Sequence, residues 1–270
     1  MYDVIVIGTG PAGLSAAINV RQRGGSVLCV GTALENNPLL KAERVDNYLG
    51  LPGLTGKQML DTFLDHAKQS GAEFLQERVL STYHSDSGWM VSAGSQVLES
   101  RCVVFTGGIM RGKPYPGETE HIGMGVSYCA TCDGMLYRGK DVAVIGFGPS
   151  DKEEAEYLEG IGCSVRYFEK PKKVQICGEG KVSSVIVDGE EAEVACVFVL
   201  RPSLAPSSLF PELALEDGYI RVDRMMRTNL PGLYAAGDCT GRPLQVSKAV
   251  GEGLVAGQQA ADEAKKMNQG

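Results

Sequence analysis

The apolar positions of this chain come in short runs that are separated by glycine turns and by alanine-rich or amphipathic stretches. Asp3–Ile7 is an apolar run of strand length that leads into Gly8–Gly13, and Leu14–Arg23 follows and stops at a pair of glycines. Ser26–Val30 is the next strand-length run. This order predicts a strand, a tight turn, a helix and a second strand, which together form a βαβ unit.

The same order occurs a second time in the middle of the chain. The run Asp141–Ile145 leads into Gly146–Asp151, a helical stretch continues to about Gly160, and Ser164–Phe168 follows as a strand. The repeated pattern predicts two units of similar α/β architecture. After a lysine-rich turn, two further strands are expected at Val182–Val187 and Val194–Leu200.

The remaining segments extend the first unit. Gly56–Ser70 has the period of an amphipathic helix, and Glu73–Val104 has the alternation of short strands with polar turns. Strands predicted at Tyr219–Asp223 and Leu233–Asp238 come before a helix over Ser247–Lys266. We expect these last strands to return to the first unit.

The predicted fold class is therefore α/β, with two nucleotide-binding-like three-layer domains. Residues 1–111 and 217–270 are expected to form one discontinuous domain. Residues 112–216 are expected to form a smaller domain inserted into it.

Composition narrows the class of protein. Of 270 residues, 43% are hydrophobic and 22% are charged, as in ordinary globular proteins. The net charge is −7 and the basic residues are scattered, so nucleic acid is not an expected partner. No run of 18 apolar residues is present, so no membrane span is predicted. Because the first strand begins at Tyr2, we expect no signal peptide and a cytoplasmic location.

Two of the eight cysteines, Cys129 and Cys132, form a CxxC pair. The other six are isolated, and Cys29, Cys102 and Cys196 lie in apolar strand contexts that favour a role as small core residues. None of the three histidines is near the pair in sequence, so no metal site is predicted.

The CxxC pair points to dithiol redox chemistry. Its spacing places two thiols one helical turn apart, where they can form a strained and easily reduced disulfide. Asp133 follows the pair directly and is placed to move a proton when the disulfide opens. A purely structural dithiol is the alternative.

The first glycine motif predicts a dinucleotide site. Gly8 allows a tight turn, Gly10 lets the backbone approach a pyrophosphate, and Gly13 permits close packing of the following helix. The acidic residue expected on the ribose is absent, because Gly31 occupies its place. Glu35 either replaces it or is a solvated loop residue.

A second feature of the first domain is a strand that ends in Gly237 and Asp238. This aspartate is placed either to accept a hydroxyl of a bound dinucleotide or to cap the helix that follows. Gln245 and Val246 begin that helix, whose N-terminus is predicted to stabilise negative charge on a reduced flavin.

Together these motifs resemble the low-molecular-weight thioredoxin reductases, over nearly the whole chain. The matching motifs are GTGPAG at 8–13, DNYLG at 46–50, TG at 106–107, GVSYCATCDG at 125–134, VAVIGFG at 142–148 and LYAAGD at 233–238. The resemblance implies FAD as cofactor, thioredoxin as partner and a homodimer.

The resemblance also implies residue roles. Cys132 is the thiol next to the flavin, Cys129 is the interchange thiol that attacks the partner's disulfide, and Asp133 is the acid and base. The FAD-binding positions that it implies are Gly8, Gly10, Pro11, Ala12, Gly13, Asn47, Thr106, Gly107, Gly237, Asp238, Gln245 and Val246.

The second glycine motif departs from that family. Asp151 stands where the family has a small residue, and a carboxylate there is expected to repel a pyrophosphate. The stretch after the next strand carries Glu169 in place of an arginine pair, and its lysines, 170, 172 and 173, either attract a phosphate or form a solvated turn. The inserted domain also looks truncated between Phe168 and Val182.

These departures resemble the ferredoxin-dependent flavin thioredoxin reductases, which keep FAD and CATC and lack NADPH binding. The glutamate-rich second helix, with Glu153, Glu154 and Glu156, suits that branch. Ferredoxin is therefore the expected electron donor, with NADPH at an unusual site and a non-catalytic redox sensor as alternatives. Candidate docking residues for an acidic donor are Arg111 with Lys113, Arg138 with Lys140, and Arg221, Arg224 and Arg227, unless they form solvated faces.

Overall fold

A computed structural model describes residues 1–32, 34, 37–108, 114–128, 130–148, 150–200 and 205–268, without the side chains of Cys132 and Ser150. The chain folds into two compact units. The first consists of Met1–Met110 with Ser203–Gly270, and the second of Arg111–Pro202. The α/β fold class that the sequence predicts is confirmed.

The elements run in chain order as β1 Tyr2–Ile7, α1 Pro11–Gln22, β2 Val27–Val30, α2 Gly56–Gln69, β3 Glu73–Leu75, β4 Val79–Ser85, β5 Gly88–Ala93, β6 Gln96–Phe105, β7 Val126–Ser127, α3 Ala130–Asp133, β8 Asp141–Gly146, α4 Ser150–Gly160, β9 Ser164–Glu169, β10 Val174–Cys177, β11 Ser184–Val187, β12 Glu190–Glu193, β13 Cys196–Leu200, α5 Pro206–Leu209, β14 Leu215–Glu216, β15 Tyr219–Ile220, β16 Leu233–Ala235 and α6 Val246–Met267. No helix in these ranges is long and apolar enough to cross a membrane.

The first unit is built on a seven-stranded sheet in the order β3-β2-β1-β6-β5-β4, and β16 pairs with β6. Strands β1, β2, β3, β6 and β16 are parallel, whereas β4 and β5 complete an antiparallel meander. Val4, Ile5 and Val6 of β1 are fully buried, because helices cover the parallel part of the sheet. This burial explains why Val4–Ile7 are apolar without interruption instead of alternating with polar residues.

Helices α1 and α6 pack against each other at very short range. A Cβ atom at Gly253 or Gly257 of α6 would overlap the backbone of Ala12 or Ala16 in α1. Glycine at these two positions therefore allows the backbones to touch. The contact fixes the start of α6 beside the turn that follows β1.

The inserted unit ends earlier than the sequence predicts. Residues 205–216 lie in the first unit, although the sequence placed them in the insertion. The physical reason is Phe210, which is 1% exposed and packs edge-on against Trp89 at 5.5 Å and Phe105 at 5.8 Å between ring centroids. A single aromatic anchor between two prolines has no periodicity that a sequence pattern can detect. The strand expected at Tyr219–Asp223 is also shorter and ends at Ile220.

The second unit contains a parallel sheet in the order β7-β13-β8-β9 and an antiparallel sheet in the order β10-β11-β12. The antiparallel sheet was only partly predicted, because β10 and the acidic strand β12 were missed. A two-residue turn joins β11 to β12, with positive φ at Asp188 (51°) and Gly189 (97°). An Asp-Gly pair is the usual signal of such a hairpin, so the sequence did contain a sign of β12.

Candidate functional site

The glycines after β1 have three separate structural roles. Gly8 has a φ of +111°, and a Cβ there would come 2.6 Å from the Thr106 carbonyl oxygen. A Cβ at Gly13 would overlap the Gly8 carbonyl. Among the described residues, a Cβ at Gly10 would meet only the Asn37 side-chain nitrogen, at 3.4 Å. The first and third positions are therefore filled by protein, and the second leaves space for a close ligand. This is the arrangement that a pyrophosphate requires.

Thr106 ties the two strand ends at this cradle together. Its hydroxyl lies 3.0 Å from the carbonyl oxygens of both Ile7 and Gly8, and its N–H donates to Ile7 at 2.7 Å. The side chain is 6% exposed. At the same point α1 begins with Gly10 as N-cap, which has no side chain to accept from the first N–H groups of the helix. A bound phosphate is the kind of acceptor that such a helix start favours.

Asp238 follows β16 beside the cradle, where a Cβ on Gly237 would come 2.9 Å from the Ala12 methyl carbon. The carboxyl is partly buried, and burial raises its pKa above the usual value, with Glu252 acting in the same direction and Lys248 opposing. Asp238 does not cap α6, because the N-cap of that helix is Gln245. Of the two roles considered for Asp238, the structure excludes the cap of α6.

An ion pair between Lys248 and Glu252 holds the Asp238 turn in place. Their charged atoms are 3.1 Å apart, and the side chains are 16% and 19% exposed. The lysine donates to the carbonyls of Gly237 and Gly241, both at 2.8 Å, and Glu252 accepts from the Gly237 N–H at 2.9 Å. This pair was not predicted from the sequence, although its i,i+4 spacing on a helix was a visible signal.

Asn47 and Gln245 come from distant parts of the chain and meet at the start of α6. The Asn47 side-chain amide donates to the Gln245 side-chain oxygen at 2.7 Å, and both residues are exposed. Val246 is the first residue of α6. The positions that the resemblance assigned to FAD are thus gathered in the first unit, around the ends of β1, β6 and β16.

The CxxC turn lies in the second unit. Cys129 is outside the described residues, and Cys132 lies in α3 with its side chain undescribed. Asp133 is partly buried, and its carboxylate accepts from the Ser127 hydroxyl at 2.7 Å. Glu154 of α4 accepts from the Ala130 N–H at 3.2 Å. The turn is therefore bordered by two carboxylates, one on each side.

The residues just before the turn are fixed by a buried carboxylate. Glu118 is 1% exposed, and its oxygens accept from the Tyr115 N–H at 2.8 Å and from the Tyr128 hydroxyl at 3.1 Å. Tyr128 precedes the CxxC pair directly. This anchoring restricts the backbone that enters the turn.

The prediction for three isolated cysteines is confirmed. Cys29, Cys102 and Cys196 are 0% exposed, and burial raises the pKa of each thiol to about 12. These thiols remain protonated at neutral pH and belong to the core. Cys196 lies beneath the CxxC turn, beside Tyr137, whose pKa is also raised to about 12 by burial and by Cys196.

The second glycine motif binds the chain's own carboxylate. Asp151 is 4% exposed, and one of its oxygens accepts from the N–H groups of Phe147 at 2.6 Å and Gly148 at 2.9 Å. In a nucleotide-binding turn these backbone groups face the phosphates. The Tyr167 hydroxyl packs over Gly146, in the space that a side chain at this glycine would need. The Asp151 carboxylate, which the sequence predicts to repel a pyrophosphate, thus occupies the backbone donors that a pyrophosphate would use.

The basic residues near this motif and the docking candidates differ in their surroundings. Lys170 is exposed and lies 3.9 Å from Glu169, and the turn that contains Lys172 and Lys173 is held through their backbone N–H groups by Asp188. This arrangement is that of a solvated turn. Five of the docking candidates are exposed, namely Arg138, Lys140, Arg221, Arg224 and Arg227. The other two, Arg111 and Lys113, lie outside the described residues, as does the ribose candidate Glu35.

Comparison with known proteins defines the class. Residues 2–186 and 169–253 match the pyridine nucleotide-disulphide oxidoreductase family. Thioredoxin reductases from Listeria innocua and Bacillus subtilis are 33% and 32% identical to this chain, with 96% of it and 93% of each relative covered. The chain therefore belongs to the pyridine nucleotide-disulphide oxidoreductase family, and the resemblance to thioredoxin reductases is confirmed.

Two solved structures narrow the comparison. A ferredoxin-flavin thioredoxin reductase from Clostridium acetobutylicum has a TM-score of 0.94 and 36% identity, over 100% of this chain and 99% of that one. A thioredoxin reductase from Gloeobacter violaceus has a TM-score of 0.85 and 28% identity, over 98% and 95% of the two chains. The protein is thus an oxidoreductase with FAD as cofactor, and the cradle formed by Gly8, Gly10 and Gly13 fits a dinucleotide.

Proposed function

We propose that this protein reduces the disulfide of a thioredoxin and receives its electrons from a ferredoxin rather than from NADPH. The observation that carries the choice of donor is the Asp151 carboxylate on the N–H groups of Phe147 and Gly148. A nicotinamide nucleotide needs these donors for its pyrophosphate. The buried Asp151 carboxylate already occupies them, and its negative charge repels the negatively charged pyrophosphate. The likeness to the Clostridium acetobutylicum ferredoxin-flavin thioredoxin reductase supports the same donor.

The first unit binds and orients FAD in this proposal. The turn Gly8–Gly13 would hold the pyrophosphate, beside Thr106 and Gly107, and Asp238 would accept a hydrogen bond from a hydroxyl of the ribityl chain. Gln245 and Val246 begin α6, and the first N–H groups of this helix would stabilise negative charge on the reduced ring. FAD, when bound, supplies the ability to accept electrons singly and to pass them on as a pair.

The second unit carries out the thiol chemistry. Cys132 and Cys129 form the disulfide that receives the electron pair, and Asp133 gives and takes the proton at the Cys132 sulfur. Ser127 holds the Asp133 carboxylate at 2.7 Å. Cys129 then attacks one sulfur of the thioredoxin disulfide, and Cys132 attacks the resulting mixed disulfide to release reduced thioredoxin. Each cycle thus moves two electrons and two protons to the substrate.

The test is an anaerobic titration of the oxidised, FAD-loaded protein, followed by the flavin absorbance near 450 nm. Reduced ferredoxin is expected to bleach the flavin and to support repeated reduction of thioredoxin, whereas NADPH is expected to do neither. Replacing Cys129 or Cys132 by serine is expected to abolish turnover and to leave the bound FAD unchanged. Rapid bleaching by NADPH would refute the assigned donor. Full activity in either serine variant would refute the mechanism, and a single turnover of the intact protein would indicate a sensor.

A further inference from the structure

Among the three glutamates 153, 154 and 156 of helix α4, Glu154 is the one for which a hydrogen bond to the CxxC turn is described. Its carboxylate accepts from the Ala130 N–H at 3.2 Å, and this N–H belongs to the peptide that joins Cys129 to Ala130. Glu154 is partly buried, whereas Glu153 and Glu156 on the same helix are exposed. Among these three acids, Glu154 is thus singled out by its contact.

We propose that Glu154 is a positioning residue that sets the reactivity and the redox potential of the CxxC dithiol. This proposal rests on the proposed function, because Glu154 would control the dithiol of that same site. The hydrogen bond holds the backbone between the two cysteines, and the charge of the carboxylate acts on their sulfurs.

The direction of the effect follows from electrostatics. A negative charge near a thiol disfavours its thiolate, so Glu154 keeps the neighbouring thiol protonated. Covalent geometry limits the separation of the Cys129 sulfur from this carboxylate to roughly 8 Å. At this range the effect of a carboxylate on a thiol is on the order of one pKa unit. Asp133 directly follows the pair, and its negative charge acts in the same direction. Cys163, Cys196 and Tyr137 pack in the core cluster that contains Ala130. Burial raises the pKa of Cys196 and of Tyr137 to about 12, so these two groups stay neutral near the turn.

The redox consequence follows from the proton balance. Reduction of the disulfide takes up two electrons and two protons when both thiols stay protonated, and one proton fewer when one thiol ionises. Any group that disfavours the thiolate therefore lowers the stability of the reduced form at pH values above the thiol pKa. A tenfold change in that equilibrium corresponds to about 30 mV.

The experiment compares Glu154→Gln with Glu154→Ala in FAD-loaded protein that also carries Cys177→Ser, because Cys177 is a partly exposed thiol outside the pair. The glutamine keeps an acceptor for the Ala130 N–H and removes the charge, whereas alanine removes both. Glu153→Gln and Glu156→Gln are the matched controls, since they remove the same charge from exposed positions of the same helix. The reduced dithiol is titrated by its rate of alkylation with iodoacetamide from pH 5 to 10, with mass spectrometry to identify the modified cysteine.

For Glu154→Gln we expect the inflection of the alkylation rate to move about one pH unit lower. Below the inflection the rate is expected to rise about threefold, because a lower thiol pKa also weakens the nucleophile. Above the inflection of the unmodified protein, equilibration with a thiol–disulfide buffer is expected to give a potential about 30 mV higher. Both controls should match the unmodified protein.

Two outcomes would overturn the proposal. In the first, Glu154→Gln leaves both the inflection and the potential unchanged. In the second, Glu153→Gln or Glu156→Gln shifts them equally, which would make the effect one of net charge. Because neither measurement involves ferredoxin or thioredoxin, a failure of the proposed function would leave this test intact.

Discussion

Replacing Lys248 by methionine tests whether the ion pair with Glu252 supports the FAD site. Methionine keeps much of the length and apolar character of the lysine stem and removes the charge and its hydrogen bonds. In the unmodified protein the two charges are 3.1 Å apart and less than one-fifth exposed. The substitution therefore leaves a largely buried carboxylate without its cation. It also removes the lysine hydrogen bonds to the carbonyls of Gly237 and Gly241, and of these two only Gly237 keeps another described donor, Thr240.

The expected loss in the free energy of unfolding is substantial. Removing one partner of a buried ion pair costs about 3–5 kcal/mol, and the residual exposure here favours the lower end. A loss of about 3 kcal/mol lowers the melting temperature of a domain of this size by roughly 6–12 °C. Because the lysine holds the turn that carries Asp238, the affinity for FAD is expected to fall as well.

The assay is thermal unfolding of the apo and FAD-loaded forms, together with FAD binding followed by flavin fluorescence. Lys265→Met on the same helix is the matched control, because Lys265 is exposed and an exposed substitution usually changes stability by less than about 0.5 kcal/mol. The double variant Lys248→Met with Glu252→Gln is expected to recover part of the lost stability, since no unpaired charge then remains. A Lys248→Met protein that melts and binds FAD like the unmodified protein would refute the reasoning.

Two further predictions concern single carboxylates. Asp151→Ala frees the N–H groups of Phe147 and Gly148, so isothermal titration calorimetry should detect binding of ADP to this variant. The same binding is expected to be weak in Asp151→Asn and absent in the unmodified protein. If Asp151→Ala binds no ADP, the Asp151 carboxylate does not occupy a phosphate position. Asp238 has a raised pKa, so its ionisation destabilises the apo fold as pH rises through that pKa. Apo Asp238→Asn should therefore melt higher than the unmodified protein at pH 7 but not near pH 3.5, while its FAD affinity falls, and an advantage that persists at low pH would oppose this account.

The sequence predicted those features in which the interacting residues are close along the chain. Both βαβ units were found because strand, glycine turn and helix follow one another and each has its own period. The acidic strand β12 was missed because only Ala192 among its four residues is buried, and hydrophobic alternation is therefore weak. The end of the insertion was misplaced because it depends on Phe210 reaching Trp89 and Phe105, more than a hundred residues away.

In the candidate site too, the sequence predicted local features and missed those that depend on the fold. The sequence identified Asp151 as unfavourable to a pyrophosphate from its charge, but the direction of its carboxylate depends on the turn into α4. Lys248 and Glu252 lie four residues apart on a helix, and such pairs are usually solvated and contribute little. Their role became visible only with the fold, which buries them against the turn from Gly237 to Gly241.

The Asp151 carboxylate also offers a reason why the second unit keeps the strand, turn and helix of a nucleotide-binding motif. A glycine turn at a helix start leaves buried N–H groups that need acceptors, and a turn with no phosphate would lose stability. In this chain the Asp151 carboxylate supplies the acceptor from within, at 2.6 and 2.9 Å. The strand, turn and helix can then persist as a scaffold, and α4 can present Glu154 to the CxxC turn. In the proposed function Asp151 takes the place of a nucleotide phosphate and thereby stabilises the start of α4, so Asp151→Ala should loosen the Glu154 contact unless an anion is added. Alkylation of the dithiol in Asp151→Ala, with and without pyrophosphate, measures this coupling, and identical rates in the two conditions would argue against it.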